Sequence, residues 1–553
     1  MSANRDSLKS ALWPAAFVIA LCYVSIGFYP ISPVEGDGNG IANGAAFMAL
    51  RGIGDNEFSY RYAVQTGTYA LVAFLHKKTG LSTLSAFSLL GAISATIFIA
   101  LSAVFIGKIA NVSWAICGMV LLLFQEAYTV GYYPNSTAIA AAFLAAAFCL
   151  AVSGQGAISL AAIGVLAGLS IWMRFDTVLL LPVLLMALYR TVWRQVIRQS
   201  IAVVSIATLV SGLAIHFSGG SVLQIVQSTG EHVRQTYEGM SDVGIPLVGN
   251  VDFLSHVGTI SVLSVFLIIL GLRRLFVNHR WHVLGLTLSA VVPFYLVLTG
   301  KVTSPKYLCY LLPFFALMSV YGLMEIAAAP HRISGFCSTI VVFLFMAQYV
   351  LGVQVDLASK PYMEKPFPTV TRLLAAHTPL KAIRALSLTV GAGSYISTAD
   401  GNRLSSGILF APIAWSYMKR ELNSDIGVLV AYLEGADSAV REIVVDEYEP
   451  RQLLLSVLIS RGYSCSVQGR AGGVGRKEFH CTQRGRVVNI CEMQPNDNRQ
   501  LGVLEENLSA LGASRVLFVA TYPWERHLVE QYLLTDRSWR WRKVNSFAYE
   551  LSR

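Results

Sequence analysis

Long runs without a charged side chain constrain this 553-residue chain more than any other feature of its sequence. A helix needs about 20 mainly apolar residues to cross the hydrocarbon core of a bilayer. Most of the runs are long enough for one crossing and several for two, so they predict transmembrane helices. The charge-free runs lie at 10–34, 79–107, 127–173, 199–230, 253–272, 281–300, 307–324 and 333–355.

We predict about eleven spans from these runs, and therefore a multi-pass α-helical membrane protein. The first span is too long for the apolar region of a signal peptide, and no small-residue cleavage site follows it. The predicted spans lie at about 11–32, 83–107, 112–130, 135–153, 157–174, 176–192, 199–217, 255–272, 282–300, 307–327 and 333–352.

The orientation in the membrane follows from Lys and Arg in the short loops, which favour the cytoplasmic side. With the N terminus in the cytoplasm, Lys108, Arg332 and the basic groups within 190–198 and 273–280 fall on that same side. This orientation predicts a protein of the bacterial inner membrane whose loop 33–82 and whose C-terminal part face the periplasm. The net charge of +10 is partly this topology signal, so we expect no nucleic-acid partner.

The composition changes near residue 353, where charge becomes frequent and strand and helix patterns alternate. We predict two domains: a transmembrane domain at 1–352, with the periplasmic loop 33–82, and a soluble α/β domain at 353–553. An oxidising compartment would permit one disulfide in the outer domain, for which Cys465 and Cys481 are the first choice. The sequence shows no metal-ligand spacing. Strand patterns occur at 387–390, 442–445, 486–490 and 515–520, and helix patterns at 369–376, 452–460 and 524–534.

The first outer loop carries two carboxylates directly after the first span. Glu35 and Asp37 are separated by Gly36 and followed by Gly38, which leaves room for a ligand to approach the backbone. The alternative is a polar turn that caps the next helix. Farther along, a mostly apolar stretch at 66–75 is too short to span and predicts a helix in the membrane interface. Such a loop is elaborate for a mere connection.

Three short motifs occur in order on the predicted outer side. The first is Glu35-Gly36-Asp37, the second is Gly-Leu-Ser-Ile-Trp-Met-Arg-Phe-Asp at 168–176, and the third is the segment 301–313, with Lys-Tyr-Leu-Cys-Tyr-Leu-Leu-Pro at its end. They resemble, respectively, the Glu-x-Asp, Gly-Leu-x-x-x-x-Arg-x-Glu and basic residue–Tyr–Leu–Leu…Pro motifs of the membrane-embedded family C glycosyltransferases. The resemblance implies a GT-C-like membrane domain, in which a variable soluble domain often follows the membrane core.

The resemblance also implies an enzyme that takes a sugar from a polyprenyl-phosphate carrier. The acceptor hydroxyl attacks the anomeric carbon, the lipid phosphate leaves, and inverting chemistry is the family expectation. Asp37 is the expected base for the hydroxyl proton, with Glu35 as the alternative base or as a residue that positions the acceptor. Lys301 and Lys306 are expected to neutralise the phosphate, and Tyr307 to donate a hydrogen bond.

Three arginines and one further carboxylate complete the candidate site. Arg51, Arg61 and Arg174 are candidates for contacts with the phosphate or the sugar. The family often has a second acid in the next outer loop, where this chain lacks the expected Asp, so Glu126 is the candidate substitute. Structural alternatives exist for these cations, because the two lysines can snorkel to the interface and Arg174 can pair with Asp176 at a helix end.

The expected partners are the polyprenyl-phosphate sugar donor, membrane lipids and an acceptor that is a glycan, a lipid or a protein. No cofactor is required by the sequence, which leaves open whether Mg²⁺ or Mn²⁺ joins the two carboxylates of the first loop. A transporter or flippase of lipid-linked sugars is the main alternative, but the sequence shows no clear internal repeat of the kind that transporters have. A ligase of whole glycans and a structural scaffold are the others.

Overall fold

The computed structural model describes two groups of residues that follow each other along the chain. The predicted spans at 11–32 and 282–300, and the predicted patterns at 369–376, 387–390 and 524–534, lie outside the described residues. The described residues are 36–51, 65–121, 136–153, 156–187, 193–223, 225–227, 266–277, 310–351, 353–354, 396–397, 403–406, 428–429, 431–435, 442–445, 448–468, 478–492, 514–519, 539–545 and 548–553.

The first group is helical. A 3₁₀ helix, Phe175–Leu180, precedes α7, and residues 266–277 are helical as well. The α-helices are α1 Gly36–Arg51, α2 Thr66–Thr79, α3 Thr83–Ala110, α4 Trp114–Leu121, α5 Ser136–Ser153, α6 Ala157–Met173, α7 Leu181–Ala187, α8 Trp193–Phe217, α9 Leu312–Ala328 and α10 His331–Leu351.

In the described parts of the chain, helices form where the charge-free runs predict spans. Among the described residues, three helices are long and apolar enough to cross a membrane: Thr83–Ala110, Ser136–Ser153 and Arg194–Phe217. The shorter apolar helices α6 and α9 also coincide with predicted spans. The predicted span at 176–192 begins in a 3₁₀ helix, Phe175–Leu180, which continues directly into α7.

Aromatic side chains and small residues pack the bundle. The rings of Phe105, Phe148 and Phe314 join α3, α5 and α9, with centroid separations of 5.3 to 5.5 Å and mainly edge-to-face geometry. Gly164 and Gly168 let α6 approach α8 closely, since a Cβ at either position would lie 2.7 Å from an atom of α8. Small residues at helix contacts are a common feature of membrane bundles.

Polar contacts gather at the two ends of the bundle. At one end, Thr68 Oγ1 donates to the Met173 carbonyl at 2.9 Å, and Trp172 Nε1 donates to Ser218 Oγ at 3.0 Å. At the other end, Lys108 Nζ donates to Ser153 Oγ. The sequence assigns the first set of residues to the outer side and the second set to the cytoplasmic side. The grouping of the loops therefore agrees with the predicted order of crossings.

The second group is built on β-sheets. A three-stranded antiparallel sheet has the order β1-β3-β2, and a seven-stranded sheet has the order β5-β6-β7-β4-β8-β10-β9. In the larger sheet β4 is parallel to β7 and β8, and the other pairs are antiparallel. The elements are β1 Val353–Gln354, β2 Ile396–Ser397, β3 Arg403–Ser406, β4 Glu442–Val445, helix α11 Tyr448–Ser460, β5 Ser464–Gln468, β6 Glu478–Gln483, β7 Arg486–Glu492, β8 Arg515–Val519, β9 Arg540–Lys543 and β10 Ala548–Ser552.

Several local predictions in this region are confirmed. Strands form at the predicted 442–445 and 486–490 and over 515–519 of the predicted 515–520, and the predicted helix at 452–460 is the main part of α11. The predicted disulfide is also confirmed: Cys465 and its partner, Cys481, face each other across β5 and β6.

Candidate functional site

Helix α1 contains the first of the predicted site residues. It begins at Gly36, so its backbone places Asp37 in the first turn, whereas Glu35 lies outside the described residues. The sequence predicts a loop at this stretch, and the structure shows a helix from Gly36 to Arg51. A carboxylate in the first turn is favoured by the helix dipole, so a role for Asp37 in the helix start is compatible with the same geometry.

The sequence of α1 favours a helix only weakly. Its first nine residues include four glycines, at positions 36, 38, 40 and 44. Each glycine inside a helix costs about 1 kcal/mol relative to alanine. Local preference therefore does not account for α1, and its conformation depends on the elements packed against it.

One side of α1 rests on the helical bundle. Ile41 and Ala45 are buried, and α1 contacts α2 and α3. Gly44 faces the buried ring of Tyr69, since a Cβ at Gly44 would lie 2.7 Å from Tyr69 Cδ1. The absence of a side chain at this position is what lets α1 approach α2 so closely.

Another side of α1 contacts α11, the helix of the C-terminal sheet. Asn43 Nδ2 donates to the Gln452 carbonyl at 3.0 Å and to Gln452 Oε1 at 2.9 Å. Ser456 Oγ donates to Asn43 Oδ1 at 2.9 Å. Asn43 and Gln452 are each 1% exposed, and Ser456 is 7% exposed. We call these three residues the α1–α11 contact. It joins the two groups of residues directly at the candidate site.

The predicted interfacial stretch forms helix α2. The helix includes the expected 66–75 and ends with His76, Lys77 and Lys78 in its last turn, where positive charge is favourable. Its N-terminal end is buried and is fixed to α6 by the hydrogen bond from Thr68. Gly67 lies against the backbone of Trp172, since a Cβ at Gly67 would be 2.8 Å from the Trp172 carbonyl oxygen. Helix α2 therefore connects α1 to the end of α6.

Arg174 follows α6 and is committed to protein partners. Its Nε donates to both carboxylate oxygens of Asp176 at 2.9 Å, and its Nη1 donates to Thr137 Oγ1 at 2.8 Å and Ser136 Oγ at 3.2 Å. The structural alternative, an ion pair with Asp176, is thus confirmed. The buried guanidinium ties the end of α6 to the first turn of α5. Its contact with a phosphate or sugar stays a prediction.

The other predicted residues are placed less completely. Arg51 is the last residue of α1. The third motif leads into α9, which begins at Leu312 with Pro313 in its first turn, a favoured position for proline. Among the described residues, no group of three His, Cys, Asp or Glu side chains is placed to hold a metal ion. The predicted site residues that lie outside the described parts of the chain are Glu35, Arg61, Glu126, Lys301, Lys306 and Tyr307.

The α1–α11 contact is not predictable from the sequence. Asn43 lies between the acidic pair and the interfacial helix in an uncharged stretch, and Gln452 is 409 positions farther along the chain. The one local signal is that an amide side chain stands in a stretch of glycines and alanines. In the structure this side chain is buried. That signal identifies neither the helix nor the partner.

The architecture defines the class of fold: a multi-pass helical bundle, joined through helix α1 to a C-terminal β-sheet. Over 97% of its length the chain is similar to the crystal structure of ArnT from Cupriavidus metallidurans in the apo state, of which 97% is covered, with a TM-score of 0.52 and 12% sequence identity. A structure of the same protein bound to undecaprenyl phosphate is similar over the same shares, with a TM-score of 0.49 and 12% identity.

These comparisons concern the fold. ArnT has the GT-C fold, so the predicted resemblance to that fold is confirmed. No protein-family model matches the chain, and no curated protein matches its sequence.

Proposed function

We propose that this protein is a glycosyltransferase that transfers a sugar from a polyprenyl-phosphate carrier to an acceptor hydroxyl at the outer face of the inner membrane. The observation that carries the proposal is the placement of Asp37. Within a GT-C fold, it lies in the first turn of a helix that is packed both on the bundle and on the C-terminal domain. The match between Glu35-Gly36-Asp37 and the family motif gives that position its chemical meaning.

In the proposed reaction the acceptor oxygen forms a bond to the anomeric carbon as the bond from that carbon to the phosphate oxygen breaks. The hydroxyl proton passes to the carboxylate of Asp37, and the electron pair of the broken bond leaves with the polyprenyl phosphate. Attack from the face opposite the phosphate inverts the anomeric carbon. Lys301 and Lys306 stabilise the negative charge on the departing phosphate, and Tyr307 donates a hydrogen bond to it.

The remaining candidates have supporting roles in the proposal. Glu35 positions the acceptor or replaces Asp37 as base, Arg51 and Arg61 contact the donor, and Glu126 serves as the second acid. Arg174 is bound to Asp176 and to the start of α5, so it holds this end of the bundle, and a contact with the donor is its second proposed role. Mg²⁺ or Mn²⁺ at the acidic pair is compatible with this assignment, and chelator treatment tests it.

We further propose that residues 1–352 form the membrane domain and that 353–553 form a periplasmic domain. The disulfide between Cys465 and Cys481 supports an oxidising compartment for the C-terminal part, since such bonds rarely persist in the cytoplasm. The exposed apolar side chain of Phe74 on α2, 57% exposed, supports the interfacial position of that helix.

The test is sugar transfer by the full-length protein in proteoliposomes, with a mixture of polyprenyl-phosphate sugars as donors. We expect Asp37→Asn to lower transfer by about 100-fold to 10,000-fold, the range of a lost general base. Asp55→Asn, which changes a carboxylate in the same outer loop, serves as the matched control and keeps wild-type transfer. Equal rates for wild type and Asp37→Asn would remove Asp37 from the mechanism.

The same vesicles separate the alternative functions. Movement of the lipid-linked sugar across the bilayer without consumption of the donor would identify a flippase. Transfer of a complete oligosaccharide in preference to a single sugar would identify a ligase. Neither outcome is compatible with the proposed transfer of a single sugar.

A further inference from the structure

Helix α1 is held from the C-terminal domain through hydrogen bonds that use both atoms of one amide group. Asn43 donates twice to Gln452 and accepts once from Ser456, at 2.9 to 3.0 Å. All three residues are buried, so water cannot reach these groups to replace the hydrogen bonds between them. A buried amide whose partners are lost is strongly disfavoured. The α1–α11 contact is therefore directional: it fixes the rotation of α1 as well as its distance from α11.

The α11 side of this contact is firmly anchored. Helix α11 follows strand β4 in the chain. Its apolar face is buried and includes Leu454, Leu455 and Leu458. The guanidinium of Arg451, next to Gln452, lies 5.2 Å from the ring centroid of Phe479 on β6. Helix α11 thus presents Gln452 and Ser456 from a fixed position on the sheet.

The α1 side lies close to the proposed base. Asn43 follows Asp37 by six residues, which is about 9 Å along a helix axis at about 1.5 Å per residue. Helix α1 has little intrinsic stability because of its four glycines. A change in its rotation or fraying of its first turns therefore moves Asp37 directly.

We propose that Asn43, Gln452 and Ser456 are positioning residues, through which the C-terminal domain holds α1 and fixes the location of Asp37 for catalysis. The statement about catalysis rests on the proposed function. The statement that the domain orders α1 does not, and it is measured separately. In this view the C-terminal domain is part of the active-site structure and not an appended module that acts on its own.

The first measurement is hydrogen exchange of the α1 peptide in purified full-length protein. Gln452→Ala and Ser456→Ala each remove one bond to Asn43, and we expect about tenfold faster exchange of α1 amides with unchanged exchange in α5, because the opening of α1 becomes a local event. Gln483→Ala and Ser464→Ala are the matched controls, since these residues lie on strands β6 and β5 of the same sheet and are partly or fully exposed. The controls are expected to match wild type.

The second measurement is steady-state sugar transfer by the same variants. Displacement of a catalytic group by about 1 Å can lower a rate by about 100-fold, so we expect kcat to fall by about 10-fold to 100-fold. The KM for the donor is expected to change less than kcat does, because Lys301, Lys306 and Tyr307 are not on α1 and Arg51, the proposed donor contact on α1, lies at its far end from Asp37. Ser456→Thr keeps the hydroxyl and is expected to restore both α1 exchange and kcat.

The outcomes separate the two ideas. Wild-type exchange of α1 in both alanine variants would overturn the inference, and so would a fall in kcat without any change in α1 exchange. Faster α1 exchange in a protein that transfers no sugar would support the ordering of α1 by the C-terminal domain while the proposed function fails. Should Asn43→Ala prevent folding, the Gln452 and Ser456 variants still decide, since each leaves part of the contact in place.

Discussion

The transmembrane bundle and the C-terminal domain hold their polar groups in different ways. In the bundle, apolar faces make the interior, and the hydrogen bonds between helices that involve charged groups, such as Arg174 with Thr137, lie near the helix ends. In the C-terminal sheet, directional bonds run across strands: His480 bonds Asn489 at 2.8 Å, and Asn489 Nδ2 donates to Glu442 Oε1 at 2.7 Å. Helix α1 belongs to the bundle by its place in the sequence. Like the strands of the sheet, however, it is held by directional side-chain hydrogen bonds.

This difference teaches where the candidate site is vulnerable. A helix such as α5 has eight alanines in its 18 residues, so its local preference already favours the helix. Helix α1 is rich in glycine, so its order is supplied by Tyr69 on one side and by Gln452 and Ser456 on the other. Substitutions in the C-terminal sheet, at the end of the bundle and in the packing around α1 should therefore have separable consequences.

The largest expected effect on stability comes from removing the disulfide of the domain. Replacing Cys465 and Cys481 together by alanine opens a loop with a sequence separation of 16 residues. We expect the C-terminal domain to lose about 3 kcal/mol of unfolding free energy. Limited proteolysis against denaturant measures this loss. Since α11 is part of the same domain, exchange of the α1 amides should rise in parallel, whereas exchange in α5 should not.

The control is Cys491→Ala, which removes a buried sulfur from the same sheet but no cross-link. We expect it to cost about 1 kcal/mol, as for an ordinary single substitution. If loss of the disulfide loosened the bundle and the domain equally, the two regions would form one cooperative unit and the comparison would be wrong.

The second prediction concerns the end of the bundle. Arg174→Met keeps the length of the side chain but leaves Asp176, Ser136 and Thr137 without their common donor. We expect a loss of about 1–3 kcal/mol in bundle stability, since the buried hydroxyls of Ser136 and Thr137 lose their donor, whereas the Asp176 side chain is 34% exposed and adds less. Thermal unfolding of the purified protein in detergent measures it, with the KM for the donor recorded in parallel.

The matched control lies at the opposite end. Arg274 pairs with Glu325 at 3.3 Å, with side chains 32% and 39% exposed. Because exposed pairs contribute little, we expect Arg274→Met to cost less than about 1 kcal/mol. A raised KM with unchanged stability in Arg174→Met would instead assign Arg174 to the donor, as the sequence motif suggested.

The comparison also explains which features the sequence predicted. Strand β4 was predicted over its full length, because the run Glu-Ile-Val-Val favours a strand by itself. Helix α3 was predicted because a long charge-free run has few other solutions. The pairing of Arg174 with Asp176 was named as an alternative because the two residues are two positions apart. In each case the cause is local.

The candidate site depended on causes that are not local. Helix α1 was not predicted, since glycines at 36, 38, 40 and 44 argue against a helix and only contacts from other elements outweigh them. The bond from Asn43 to Gln452 joins residues 409 positions apart, and no spacing rule identifies such a pair. The motif located Asp37 in the chain, but the fold determines what holds it.

The smallest expected effect, and the most specific for the packing of α1 on α2, is that of Gly44→Ala. The added Cβ would lie 2.7 Å from Tyr69 Cδ1, and the buried ring has little room to withdraw. We expect overpacking to outweigh the gain in helix preference and to cost about 1–2 kcal/mol. Gly212→Ala in α8 is the control, because a Cβ there meets nothing within 4 Å. The control is expected to be neutral or to stabilise by up to about 1 kcal/mol.

The two alanine substitutions together decide whether α1 is a helix held by its neighbours. Both add one methyl group to a glycine inside a helix, so they share the change in local preference and differ in what the methyl group contacts. Faster α1 exchange and lower kcat in Gly44→Ala alone would show that the spacing between α1 and α2 sets the position of Asp37. A Gly44→Ala protein as stable and as active as Gly212→Ala would mean that α1 tolerates displacement from α2. Its position would then depend on the α1–α11 contact more than on the bundle.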